Sequence, residues 1–134
     1  MKILPKKSLG QNFLVDEKIL NKIVELGKIS KNDIVLEVGP GTGKLTEKIL
    51  KKNPKHLIVV EKDKKLAEFL QNKFDHKIKI INDDILNISQ NNLAQSKIII
   101  FGNLPYNVST QILVNWIRLD NLKNFSKKFI LMFQ

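Results

Sequence analysis

The segment Phe101-Gly102-Asn103-Leu104-Pro105-Tyr106-Asn107 brings together groups suited to one kind of chemistry. The exocyclic amine of an adenine is a weak nucleophile because its lone pair is delocalised into the ring. Acceptors placed on its two hydrogens favour the pyramidal geometry from which it attacks. The side-chain oxygen of Asn103 is one such acceptor. The Leu104 carbonyl is a second, because Pro105 biases Leu104 toward an extended conformation. Tyr106 offers a face on which the base can stack, a contact worth about 1–3 kcal/mol in single-strand recognition. The same residues would also suit a plain turn with a core tyrosine, so the remaining motifs have to decide between the two.

A second constellation is Glu37-Val38-Gly39-Pro40-Gly41-Thr42-Gly43. Gly39 and Gly41 let the backbone turn sharply and approach a ligand with no Cβ in the way, and a following helix offers free N–H groups. A hydride-transfer enzyme would carry a third glycine where Lys44 stands. The G-x-G-x-G spacing after Glu37 instead resembles the first motif of S-adenosylmethionine methyltransferases. That cofactor carries a sulfonium and an ammonium, so a carboxylate beside the loop is electrostatically sensible. Glu61, about twenty residues beyond the loop, is placed to accept bonds from both ribose hydroxyls. In Asn82-Asp83-Asp84, a carboxylate can accept a bond from the adenine amino group of the cofactor.

These groups need a scaffold that gathers them at one edge. Asp16 is a helix N-cap signal, and Glu17–Leu26 has apolar residues at helical spacing, with Gly27 suited to the C-terminal cap. Apolar runs at Ile34–Val38, Leu57–Val60, Ile78–Ile81, Lys97–Phe101 and Phe129–Phe133 read as strands. Lys44–Lys52, Lys64–Lys73 and Ser109–Ile117 read as helices. Continuous Val/Ile/Leu strands joined by helices predict an α/β fold, a mostly parallel sheet covered on both faces. Ligands in such folds sit beyond the carboxyl ends of the strands, where Glu37, Glu61, Asp84 and Asn103 fall. Residues 1–15 have neither helical nor strand period and read as an arm over the cofactor site, and 16–134 read as the catalytic domain. His56 and His76 read as surface residues, and Trp116 and the remaining phenylalanines as core.

Composition sets limits. Hydrophobic residues are 43% and charged residues 27% of the chain, and no apolar run reaches the ~18 residues of a membrane span. There is no cysteine and the N-terminus lacks a signal peptide's apolar stretch, so no disulfide framework, thiolate metal site or membrane association is expected, and a cytoplasmic location is. No metal is needed, since a sulfonium is already a good leaving group. The net charge of +10 suits a polyanionic partner such as RNA, although a lysine-rich composition with Arg118 as the single arginine would also arise without one.

With these residues in place, the chain resembles the ribosomal RNA adenine dimethyltransferases, the KsgA family of small-subunit enzymes. Lys7-Ser8-Leu9-Gly10-Gln11-Asn12-Phe13-Leu14 is similar to the family's N-terminal signature, and the glycine loop, Glu61, Asp84 and Asn103-Leu104-Pro105-Tyr106 follow in matching order. The resemblance implies a Rossmann-like S-adenosylmethionine-dependent methyltransferase fold in which Asn12, Leu14, Gly39, Glu61, Asp84 and Asn103 touch the cofactor. It implies N6,N6-dimethylation of two adjacent adenosines near the 3′ end of small-subunit ribosomal RNA, within an assembling particle, by an enzyme expected to be monomeric when complete. Related methylases of large-subunit RNA, which usually differ in the first loop, come second. An RNA-binding assembly factor that keeps the pocket without turnover comes third. Family members continue past the fifth strand through a terminal strand pair and a small helical domain. The chain is therefore expected to be truncated after that strand.

Overall fold

The computed structural model describes residues 13, 16–89, 92, 93, 96–104, 106–118 and 122–132; for 106, 107, 117, 122 and 123 this is the backbone alone. Helix α1 (Glu17–Gly27) starts where Asp16 accepts bonds from the N–H groups of Lys18, at 2.9 Å, and Ile19, at 3.1 Å. Its end differs from expectation. Gly27 is the last helical residue, and Lys28 takes the left-handed conformation, with φ 47°. Gly27 is required for packing instead, because a Cβ there would stand 2.7 Å from the Phe101 ring.

The chain then alternates β1 (Ile34–Val38), α2 (Lys44–Leu50), β2 (His56–Val60), α3 (Lys64–Phe74), β3 (Lys79–Ile81), β4 (Ile98–Asn103), α4 (Tyr106–Ile117), α5 (Leu122–Phe125) and β5 (Ser126–Met132). All four strand pairings are parallel, in the order β3-β2-β1-β4-β5. The order reverses at β1: the chain runs outward through β2 and β3, then returns to the other side of β1 through β4. The switch point therefore falls between the carboxyl ends of β1 and β4, where such folds bind ligands.

Alternation along the strands divides the core into two faces. Val35, Leu57, Val59, Ile99 and Phe101 pack with Leu20, Ile23, Ile49 and Leu70 of α1, α2 and α3. Leu36, Val38, Ile58, Ile98 and Ile100 pack with Ile112 and Trp116 of α4 and Phe125 of α5. Trp116 meets Phe125 edge-on at 6.1 Å and Phe129 at 5.5 Å between ring centroids, which ties α4, α5 and β5 together. The helix–sheet–helix architecture expected from the sequence is the one observed.

Boundaries moved where long-range pairing outweighs local pattern. β4 runs on through Gly102 and Asn103, because Val38 of β1 and Leu131 and Met132 of β5 pair with them. Helix α4 begins at Tyr106 rather than Ser109, directly after a proline, whose fixed φ suits a helix start. β5 begins at Ser126, three residues before the apolar run. Its Lys127 ammonium reaches Asp33 at 2.8 Å, and that of Lys128 reaches the Leu26 carbonyl at 2.9 Å. The short helix α5 was not anticipated, and Phe133 lies outside the described residues.

Among the described residues β5 pairs with β4 alone, so its other side presents unpaired N–H and C=O groups, a template for self-association. The 134-residue chain is expected to scatter light as a self-associating species at micromolar concentration. A monomer by light scattering in the parent chain would contradict this.

Candidate active site

The turn after β1 is built from three glycines with positive φ: 68° at Gly39, 58° at Gly41 and 82° at Gly43. Each is also held by a neighbour. A Cβ on Gly39 would stand 3.1 Å from the Asn103 carbonyl oxygen and 3.3 Å from the Leu104 side chain, and one on Gly43 would meet Phe74 at 2.6 Å. At Gly41 the obstacle is the ring of Phe13, at 2.8 Å. The loop is therefore pressed between the end of β4, helix α3 and one residue of the N-terminal segment. Lys73 of α3 braces it further, donating to the Thr42 carbonyl at 3.1 Å while pairing with Glu47 at 2.6 Å.

Two carboxyl groups lie beneath this loop. Glu37, 1% exposed, accepts a 2.7 Å hydrogen bond from the hydroxyl of Thr46 on α2. Burial drives its pKa up to about 8; the Thr46 bond opposes that, and the nearby Glu61 carboxyl adds to it. Glu61, at the end of β2 and 6% exposed, accepts from the Asp63 N–H at 2.9 Å. Burial raises its pKa as well, against hydrogen bonds from the N–H groups of Asp63, Gly41 and Lys62.

Asp84 closes the β3 side. Partial burial alone would raise its pKa, but hydrogen bonds from Lys62, at 2.8 Å, and the Leu86 N–H, at 3.0 Å, hold it below the usual carboxylate range. Asn82 fixes the turn after β2 from the neighbouring strand, its amide donating to the Glu61 carbonyl at 2.8 Å. On the β4 side, Ser109 is fully buried and its hydroxyl donates to the Leu104 carbonyl at 3.2 Å. A carbonyl has two lone pairs, so this bond orients Leu104 and leaves one acceptor position.

The structure thus brings Gly39, Gly41, Glu61, Asp84, Asn103 and Leu104 to one edge. Asn12, Leu14 and Pro105 lie outside the described residues, as does the side chain of Tyr106, although the α4 backbone starts at that residue. Thr46, Lys62, Asn82 and Ser109 escaped the sequence reading. Each acts through a contact at least five residues away along the chain, and the one local sign was the run Asn82-Asp83-Asp84. His56 and His76 are exposed, as expected. Among the described residues no group of three His, Asp or Glu side chains could hold a metal ion.

The sequence profile of the ribosomal RNA adenine dimethylases matches residues 4–134. The chain belongs to that family. A ribosomal RNA small subunit methyltransferase A of Pelagibacter ubique is 53% identical over 134 residues, which are all of this chain and 51% of the relative. Among solved structures of similar fold, a dimethyladenosine transferase from Plasmodium falciparum superposes with a TM-score of 0.78 at 28% identity, over 92% of this chain and 43% of that one. The 23S rRNA methyltransferase ErmE gives 0.72 at 27% identity, over 81% and 44%. The chain spans about half the length of the curated relatives it matches. The Rossmann-like methyltransferase fold expected from the sequence is that of the family.

The buried Glu37 has a stability consequence. Its folded-state pKa, about 8, is above the unfolded value near 4.5, so between these limits the folded chain holds a proton that the unfolded chain has lost. The stabilisation is complete below pH 4.5 and is lost as pH rises toward 8, by on the order of a few kcal/mol. Glu37→Gln, neutral throughout, should flatten this decline when urea midpoints of the ligand-free proteins are compared from pH 5 to 9. Parallel pH profiles would refute the assignment.

Proposed function

We propose that this chain carries the catalytic core of an S-adenosylmethionine-dependent methyltransferase that dimethylates adenine N6 in small-subunit ribosomal RNA. The observation that carries the reading is the contact between the two motifs. The Asn103 carbonyl and Leu104 side chain stand against Gly39, so an amine held by the β4 end lies next to whatever the glycine loop cradles. The donor set suits this cofactor. The positive-φ glycines let the loop turn tightly against the β4 end, and the Glu61 carboxyl at the end of β2 suits a ribose diol. S-adenosylmethionine, when bound, supplies a methyl carbon on a sulfonium leaving group.

The protein's own part is positional. Asn103 offers a side-chain oxygen to one N6 hydrogen and the Leu104 carbonyl, oriented by Ser109, accepts the other. Tyr106 stacks on the base, which must be flipped or presented unpaired. Asn12, Leu14, Gly41 and Asp84 complete the cofactor contacts, with residues 1–15 as an arm over the loop. Phe13 against Gly41 supports that placement. Holding amine, methyl carbon and sulfur in line needs no metal or protein nucleophile. The assembling ribosomal particle, the cytoplasm and a monomeric complete enzyme belong to this reading.

The second reading, methylation of large-subunit RNA, is favoured by the likeness to ErmE. The Pelagibacter relative, named for the small subunit and matched over the whole chain, favours the first.

Two measurements test the proposal. Glu61→Ala should weaken S-adenosylmethionine binding by about 1.5–3 kcal/mol, as for a lost hydrogen bond to a charged group; unchanged calorimetric affinity in a folded protein would count against Glu61. For activity, the remainder of the Pelagibacter relative can be fused after Gln134. This protein should move labelled methyl groups onto small-subunit particles lacking the modification and leave large-subunit particles unlabelled. Tyr106→Ala should depress transfer far more than cofactor binding. Transfer to large-subunit RNA alone would establish the second reading, and cofactor binding without any transfer would leave an RNA-binding assembly factor.

A further inference from the structure

The sheet is electrically polarised along its strands. At the carboxyl edge stand Glu37, Glu61, Asp83 and Asp84, with Lys62 paired to Asp84; at the amino edge Lys31, Lys55, Lys79 and Lys97 stand at or just before the starts of β1 to β4, and Lys127 is the second residue of β5. The acid at the amino edge, Asp33, is engaged by Lys127 at 2.8 Å and the Ser30 N–H at 2.7 Å. Between the amino ends of β1, β2 and β3 lies a cleft of about 480 Å³. Leu57, Ile78 and Leu93 are among the residues that line it, and so are Lys55, Lys77, Lys79, His56 and His76. Among the described residues no carboxylate lines it; Asp75, next to it in sequence, pairs with His76 at 2.9 Å. Among the described residues none of the three lining lysines makes a salt bridge with an acid.

We infer that this cleft is a second RNA-docking site, taking a single-stranded segment at the end of the domain opposite the methyl-transfer site. Three ammonium groups around one concavity repel each other and attract phosphates, whose binding releases counterions. Imidazole rings and apolar side chains give an unpaired base a surface to stack on, which an acidic peptide would not use. Strand length separates the cleft from the Asn103 end of the sheet by roughly 15 Å, so one folded RNA can touch both. The acidic carboxyl edge, suited to a cationic cofactor, attracts phosphate poorly, and the amino edge supplies what it lacks. The inference rests on the RNA-modifying reading above, and a binding assay separates the two.

The test is fluorescence anisotropy with a labelled single-stranded RNA 12-mer and the 134-residue chain, from 50 to 300 mM salt. Each phosphate contact to a single strand contributes about 0.7 to the slope of log K against log salt, so Lys55→Ala/Lys77→Ala/Lys79→Ala should flatten the slope by about 2. Each single substitution should flatten it by about 0.7. A control of equal charge, Lys18→Ala/Lys22→Ala/Lys65→Ala, should leave the slope within about 0.5 of the parent. Equal flattening by both triple variants would mean diffuse surface charge and overturn the cleft; so would a parent chain that fails to bind the 12-mer at 50 mM salt. Tighter, equally cleft-dependent binding of a glutamate peptide of the same charge would overturn RNA as the occupant. Loss of methyl transfer with cleft-dependent RNA binding intact would sink the proposed activity and leave the cleft standing.

Discussion

Gly39 leaves β1 with φ 68° and lets the chain pass within a van der Waals contact of the Asn103 carbonyl. Any side chain at this position would be strained by the dihedral and blocked by backbone, which cannot swing aside as a flexible side chain can. The contact exists because β1 pairs in parallel with β4, Val38 opposite Gly102, so both strands release their loops at one level. The candidate site is arranged around this approach. α3 supports the loop from below through Phe74 and Lys73, Phe13 bears on Gly41, and Ser109 orients the carbonyl that follows β4.

Beneath the same turn the fold buries two carboxyl groups within interaction distance of each other, Glu37 and Glu61. Burial of such a pair is unfavourable for the charged forms, and the structure answers with one hydroxyl and several backbone N–H groups instead of a buried cation. A site with this character gains most from a positively charged ligand. The amino edge has the opposite character, its lysines set around an apolar cleft. One sheet thus separates a region that favours a cation from one that favours a polyanion, and the parallel arrangement makes the separation possible, since all strand ends of one kind lie together.

The sequence was informative where chemistry is local. Asp16 caps its helix as read, the glycine spacing fixed the turn, and Val/Ile-rich runs located the strands within a few residues. It was uninformative where contacts are distant. Gly27 looked like a helix cap and is a packing glycine under Phe101, 74 residues on. Ser126-Lys127-Lys128 lacks strand character and is strand because β4 offers its free edge and Asp33 a counter-charge. Ser109 and Thr46 resemble ordinary helix residues until Leu104 and Glu37 are seen to accept from them.

The sequence by itself therefore determined the α/β class, the order of the elements and the residue types at the strand ends, because these follow from periodicity, turn stereochemistry and a motif of contiguous residues. Only the tertiary structure decided which of those residues meet. Strand order places Gly39 against Asn103, burial turns Glu37 from a nominal anion into a group with a pKa of about 8, and Lys55, Lys77 and Lys79 come to line one cleft. The physical reason is that proximity and desolvation are properties of packed surfaces, and residues far apart in the chain contribute to both.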